Sequence, residues 1–178
     1  MTRTRLILLA AAAITVGLFF ITQTIRWSGA GGAQRAHEKF LERIEDRRWS
    51  KCHAMVAEGY SDRWEFSRDD ISLALQDLGA PFTFGLTIEW KPVGAPEEQG
   101  DGSFVITGTA RLDGSGSPIA DMVLSRVNGY AATPFTFRWE REGLLPWRWK
   151  LVSIDHPTLE VPRGYTPGDL GSAASRRF

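Results

Sequence analysis

The chain has 178 residues, 43% of them hydrophobic and 24% charged, and a formal net charge of zero. That composition suits a globular chain able to bury a core, and with no excess positive charge there is no electrostatic case for binding nucleic acid or an acidic polymer. A single cysteine, Cys52, excludes an intramolecular disulfide and reads as a small buried side chain, while His37, His53 and His156 share no metal-ligand spacing.

From Leu6 to Ile25 the chain is uncharged and mostly apolar, with Arg3 and Arg5 before the run and Arg26 after it. About twenty residues at ~1.5 Å rise span the ~30 Å hydrocarbon layer of a bilayer. A secretory apolar region is shorter, about 7–15 residues. Arg26 and Trp27 also stand where an anchored helix places its interfacial residues. Residues 1–28 are therefore read as an uncleaved signal-anchor transmembrane helix, with the membrane as partner through Leu6 to Ile25. The bulk of the chain would then be extracytoplasmic, periplasmic or extracellular, in a single-pass membrane protein. Ser28-Gly29-Ala30 is a small-residue pattern that keeps cleavage open as the alternative.

A linker is expected over residues 29–32, then helices, then strands. Ala33, Ala36, His37, Phe40, Leu41 and Ile44 recur at helical spacing within Ala33 to Arg48, with charges on the other side. Trp49 to Ala57 continues as a short helical piece with Cys52, Met55 and Val56 on one stripe, and Gly59 ends it. Ser67 with Asp70 three residues later approximates a capping box, opening a helix that buries Ile71, Leu75 and Leu78 and closes at Gly79 and Pro81.

Strict alternation from Phe82 to Trp90 puts Phe82, Phe84, Leu86, Ile88 and Trp90 on one face of a strand. Pro92 to Gly102 is a polar turn region, and Ser103 to Leu112 alternates again. Ser117-Pro118 and Asn128-Gly129 punctuate a short helix with Ile119, Met122, Val123 and Val127 on one side, a strand being the alternative. Phe135, Phe137 and Trp139 form a third strand face. In Trp147 to Ile154 the apolar side switches midway, from Trp147, Trp149 and Leu151 to Val152 and Ile154, which predicts a bend or bulge. The expected core joins Phe84, Leu86, Ile88, Phe104, Ile106, Phe135 and Phe137 to Phe40 and Ile44. Residues 158–178, rich in Pro, Gly, Ser and Arg, are expected to form a polar, disordered tail.

The pattern is α+β: an N-terminal transmembrane helix, then a domain of helices packed on a curved antiparallel sheet. Phe40-Leu41-Glu42-Arg43-Ile44-Glu45-Asp46-Arg47-Arg48-Trp49, followed by Met55-Val56 and Tyr60, resembles the opening helices of the nuclear transport factor two-like superfamily, the cystatin-like cone that includes polyketide cyclase-like and ketosteroid isomerase-like domains. Phe135-Thr136-Phe137-Arg138-Trp139-Glu140-Arg141-Glu142 and Trp147-Arg148-Trp149-Lys150-Leu151-Val152 are similar to that family's last two strands. The resemblance covers residues 33–157. It implies a cone with a cavity at its wide end and no particular reaction, because the fold hosts isomerases, cyclases, transport factors and inert binding domains.

No catalytic, cofactor-binding or metal-binding residue can be assigned. A family isomerase needs a carboxylate base facing a hydrogen-bonding acid, and Tyr60, Asp62, Asp155 and His156 read more simply as loop or edge polar groups. There is no G-x-S-x-G elbow, phosphate loop or dinucleotide fingerprint. Trp64, Trp90, Trp139, Trp147 and Trp149 could line an aromatic pocket, although such residues commonly pack a curved sheet. Arg138, Arg148 and Lys150 make a modest basic patch on adjacent strands, diluted by Glu140 and Glu142. The reading is a membrane-anchored, non-catalytic binding or assembly module, with an envelope protein or a small apolar ligand as partner. The alternatives are an isomerase- or cyclase-type enzyme using the cone cavity, and an accessory subunit of an integral membrane complex.

Overall fold

The computed structural model describes residues 3–169, with side chains described from Ala12 onward. Helix α1 (Arg3–Trp27) leads directly into α2 (Gly29–Glu45). The stretch expected as a linker is thus the first turn of α2. Its glycines serve a sharp corner rather than flexibility. Gly29 has φ +56°, a conformation that side chains resist, and a Cβ on Gly32 would collide with the Trp27 carbonyl and the Trp149 indole. That close approach lets Trp149 Nε1 donate to the Trp27 carbonyl at 3.0 Å, satisfying one of the orphan acceptors at the end of α1.

Among the described residues no helix is long and apolar enough to cross a membrane. The expected span from Leu6 begins outside the described side chains. What the described part of α1 shows is a row of exposed apolar groups, including Ile14, Leu18, Phe19, Ile21 and Ile25.

Three further helices precede or interrupt the strands: α3 (Trp49–His53), α4 (Arg68–Gly79) and α5 (Pro118–Asn128). The capping box on α4 is complete: the Ser67 hydroxyl accepts from the Asp70 N–H while the Asp70 carboxylate accepts from the Ser67 N–H. Helix α5 starts with Pro118, as its punctuation implies, but buries Ala120 and half-buries Val123, Leu124 and Val127. Ile119 and Met122 face outward, a correction of roughly one helical position in the buried stripe.

The antiparallel sheet has strand order β1-β3-β4-β5, from β1 (Gly85–Pro92), β3 (Phe104–Ser115), β4 (Phe135–Arg141) and β5 (Trp149–Asp155). The short β2 (Glu97–Glu98), inside the expected turn region, pairs with Val105 and Phe104 of β3. The long β3 pairs with β4 through Phe104–Gly108 and with β1 through Gly108–Ser115, so one strand crosses the whole sheet. The register skips Val152 between β4 and β5, and this bulge lets Leu151 and Ile154 both point inward across an odd spacing. The outer edge of β5 is covered by Met55, Val56 and Ala57, whose backbone exchanges hydrogen bonds with Leu151.

The core sits between α2 and the concave sheet face: Ala33, Ala36, Phe40 and Ile44 meet Leu86, Ile106, Phe137, Trp139 and Leu151. Phe84 is a correction. It is 84% exposed, because pairing begins only at Gly85, whose φ of +150° turns the chain, so the alternation does not extend upstream of the strand. Phe82, in the preceding turn, is fully buried instead. The C-terminal segment is also more ordered than its composition implies. Asp77 accepts from the Tyr165 hydroxyl at 2.9 Å and the Gly168 N–H at 2.7 Å, and the Leu159 carbonyl accepts from Trp64 Nε1. Residues 170–178 lie outside the described residues.

Phe40→Ala should cost ~3–5 kcal/mol, as truncation of a buried Phe does. Phe84→Ala should change stability by less than about 0.5 kcal/mol. Urea unfolding of the detergent-solubilised full chain, followed by tryptophan fluorescence, checks the pair. Equal losses for both variants would contradict this core.

Candidate functional site

In a cone of this architecture the natural place for chemistry is the space between the long helix and the sheet. Here aromatic rings fill its centre, and a cleft stays open along the β1 flank. The Trp139 and Phe40 rings meet edge to face at 5.7 Å, and Phe104 and Trp149 do the same at 5.7 Å. His37 is packed among Trp90, Phe137 and Trp139, with ring centroids 4.5, 4.7 and 6.2 Å away. It is the titratable group packed within this aromatic cluster. Neither of its nitrogens has a hydrogen-bond partner, and burial lowers its pKa from 6.5 to about 3, so the ring is neutral at physiological pH.

The polar residues singled out from the sequence are engaged in contacts within the fold. The Tyr60 hydroxyl donates to Asp62 Oδ2 at 2.8 Å, and burial, then the Asp62 charge, push its pKa up. Asp62 Oδ1 accepts from the Trp64 and Phe66 N–H groups, so this carboxylate holds a turn. His156 is fully buried: Nδ1 accepts from the Leu159 N–H at 2.9 Å and Nε2 lies 3.1 Å from the Thr133 carbonyl. Arg63 ties the two segments together, donating to the His156 carbonyl at 2.7 Å and lying 3.8 Å from Asp155. For Tyr60, Asp62, Asp155 and His156 the polar contacts are hydrogen bonds and an ion pair within the loops and strand ends that carry them. Cys52 is buried, which pushes its thiol up to about 11 and keeps it unreactive.

Of the five tryptophans, Trp90 and Trp139 meet around His37, and the five do not form one pocket. Trp139 and Trp149 belong to the core, Trp90 covers His37, Trp64 packs on Phe66, and Trp147 meets Phe20 of α1 at 6.4 Å. The expected basic patch is split. Arg138 bonds to Asp101 and Ser103, whereas Arg148 and Lys150 lie 4.0 and 3.7 Å from Glu142.

Two clefts stand out among the described residues. One, of about 380 Å³, lies between α2 and β1, with His37 at its floor and Glu38, Glu42 and Glu45 along one wall. Glu45 is partly committed, accepting from the Ile88 N–H at 2.6 Å. The larger, of about 550 Å³, lies between α1, α2 and the β4–β5 hairpin. Its walls combine Phe19, Trp27 and Trp147 with Lys39, Arg43, Arg148 and Lys150. Sequence reasoning missed this cleft. Lys39 and Arg43 are visibly one turn apart on the polar face of α2, but nothing local says that a hairpin a hundred residues later brings two more cations to them. His37 was legible only as a polar residue on an apolar stripe.

The sequence matches no family model and no curated protein. Solved structures do share the fold. Aln2 from a Streptomyces species superposes with a TM-score of 0.52 at 12% identity, over 79% of this chain and 91% of that one. Bd1075 from Bdellovibrio bacteriovorus gives 0.50 at 11% identity over 71% of this chain, which spans only 39% of that protein. An NTF2-like protein of unknown function from Pseudomonas putida gives 0.49 at 10% identity, covering 79% and 94%. At these identities the likeness is one of fold alone: helices on a curved antiparallel sheet.

A buried neutral histidine couples stability to pH. The unfolded chain takes up a proton near 6.5 and the folded chain only near 3, so stability is complete above 6.5 and is lost as pH falls between these values. His37→Leu should remove one proton's share of that slope, about 1.4 kcal/mol per pH unit. Urea midpoints for both proteins at pH 7 and pH 4.5 measure it, and identical pH dependence would contradict a neutral, unpaired His37.

Proposed function

We propose that this protein is a non-catalytic binding module held at a membrane by α1, with its folded domain outside the cytoplasm. The observation that carries the non-catalytic half is the aromatic filling of the cone around Trp139, Phe40 and His37. A substrate has no enclosed space there, and His37 within it lacks a hydrogen-bonded acid or base partner. The membrane half is supported by the continuous helix Arg3–Trp27 and by the apolar groups it leaves uncovered. An exposed apolar row of that length is what lipid, or a helix of a membrane partner, would cover. The chemistry of the surface favours an envelope protein as partner over a small substrate, because the two clefts described above are open at the surface.

Alkaline carbonate extraction of native membranes should leave the full chain in the pellet, and release into the supernatant would overturn the anchor. Crosslinking followed by purification should recover a second protein. The enzyme reading, with the isomerase- or cyclase-type chemistry available to this fold, would overtake ours on a different result: an apolar polycyclic ligand that quenches tryptophan emission in the parent but not in Trp90→Ala.

A further inference from the structure

The β4–β5 hairpin tip is the most exposed apolar feature of the folded domain. Leu144 is 99% exposed, and Leu145 and Trp147 are also exposed, at 41% and 38%. A soluble loop normally places polar groups at such a tip. This one reads Gly143-Leu144-Leu145-Pro146-Trp147, with Gly143 at φ +69° turning the chain. The tip is also not isolated. Trp147 packs against Phe20 of α1, so the exposed loop side chains continue the apolar surface of that helix. Its backbone is partly closed on itself, with the Glu142 N–H donating to the Arg148 carbonyl at 2.7 Å and the Arg148 N–H to Leu145 at 3.1 Å. Pro146 has no N–H to satisfy.

Directly behind the apolar tip lies the basic cleft. Lys39, Arg43, Arg148 and Lys150 line it against the one carboxylate of Glu142, and Arg26 stands exposed on the last turn of α1. Apolar groups in front of a cationic collar match the layering of a bilayer leaflet, acyl chains inside and phosphates outside. Phe20 lies two turns, about 10 Å, up the helix from Trp27. A tip beside Phe20 therefore reaches the interfacial zone when Trp27 sits at the headgroups.

We propose that the hairpin tip Leu144–Trp147 is a second membrane contact: it enters the interface of an anionic phospholipid bilayer beside α1, and Lys39, Arg43 and Arg148 receive the headgroup phosphate in the cleft behind it. This rests on the reading of α1 as a membrane helix. Its consequence is orientational, since two contacts pin the domain against the leaflet where one helix would let it pivot.

The test uses the full chain reconstituted into phosphatidylcholine vesicles with or without phosphatidylglycerol. An environment-sensitive fluorophore is attached at Ile14→Cys, Leu144→Cys or Glu98→Cys, in a Cys52→Ala background. Emission at 14 and 144 should shift to the blue and be quenched by brominated lipid, while 98 stays solvent-like. Phosphatidylglycerol should increase quenching at 144, and Arg148→Glu should abolish that increase. If 14 is quenched and 144 behaves like 98, the second contact is overturned and the anchor stands. If neither is quenched, the anchor reading falls and the second contact with it. A blue shift at 144 without lipid quenching, in particles of doubled mass, would assign the tip to a second copy and overturn the proposal. Quenching at 144 that ignores phosphatidylglycerol would overturn the phosphate contact in the cleft.

Discussion

The face of α2 that carries Ala33, Ala36, His37, Phe40 and Ile44 lies in the concavity of the sheet, and the remaining elements are arranged around that contact. It requires the sheet to bend, and the bend is made by long β3 pairing with different partners along its length and by the bulge at Val152. It requires the corner at Gly29 and Gly32, because α2 can reach the sheet only if the end of α1 approaches Trp149 closely. It also determines what the cone can hold. With small alanines on one turn and large rings on the next, the helix seats deeply, and Trp139 and Phe137 occupy the volume that a shallower helix would leave empty.

His37 is the cost of this arrangement. A histidine at a core position of the helix loses its hydration and gains only ring contacts, so it stays neutral with both nitrogens unpaired. The Trp139 indole nitrogen beside it is likewise buried without a partner. Two such groups in one aromatic cluster make the centre of the cone its least satisfied region, in contrast to His156, whose nitrogens both meet backbone groups. The difference comes from surroundings: His156 sits where a turn supplies N–H donors, whereas His37 sits on a helix whose own N–H groups are already engaged.

The electrostatics of the two clefts also follow from α2. Its polar side is divided lengthwise, with Glu38, Glu42 and Glu45 turned toward β1 and Lys39 and Arg43 toward the β4–β5 hairpin. A chain of zero net charge thereby presents an acidic cleft on one flank of its main helix and a basic one on the other. The basic flank is the one that faces α1 and the apolar hairpin tip.

The sequence alone determined the elements whose information is local. Strand alternation, the Ser67 capping box, Pro118 at the start of α5, and the midway switch of apolar side in the last strand all arise from backbone geometry within a few residues. The α+β order and the burial of Phe40 and Phe137 were legible for the same reason. Tertiary structure decided where those patterns stop and what they meet. Phe84 obeys the alternation yet lies outside the paired strand, and Gly29–Gly32 has the composition of a linker yet forms a helical corner, because pairing and close approach depend on distant partners. The candidate sites were the least legible of all. Lys39 and Arg148 acquire a common cleft, and Trp147 a common surface with Phe20, only when segments about a hundred residues apart in sequence are folded together, and no periodicity encodes that distance.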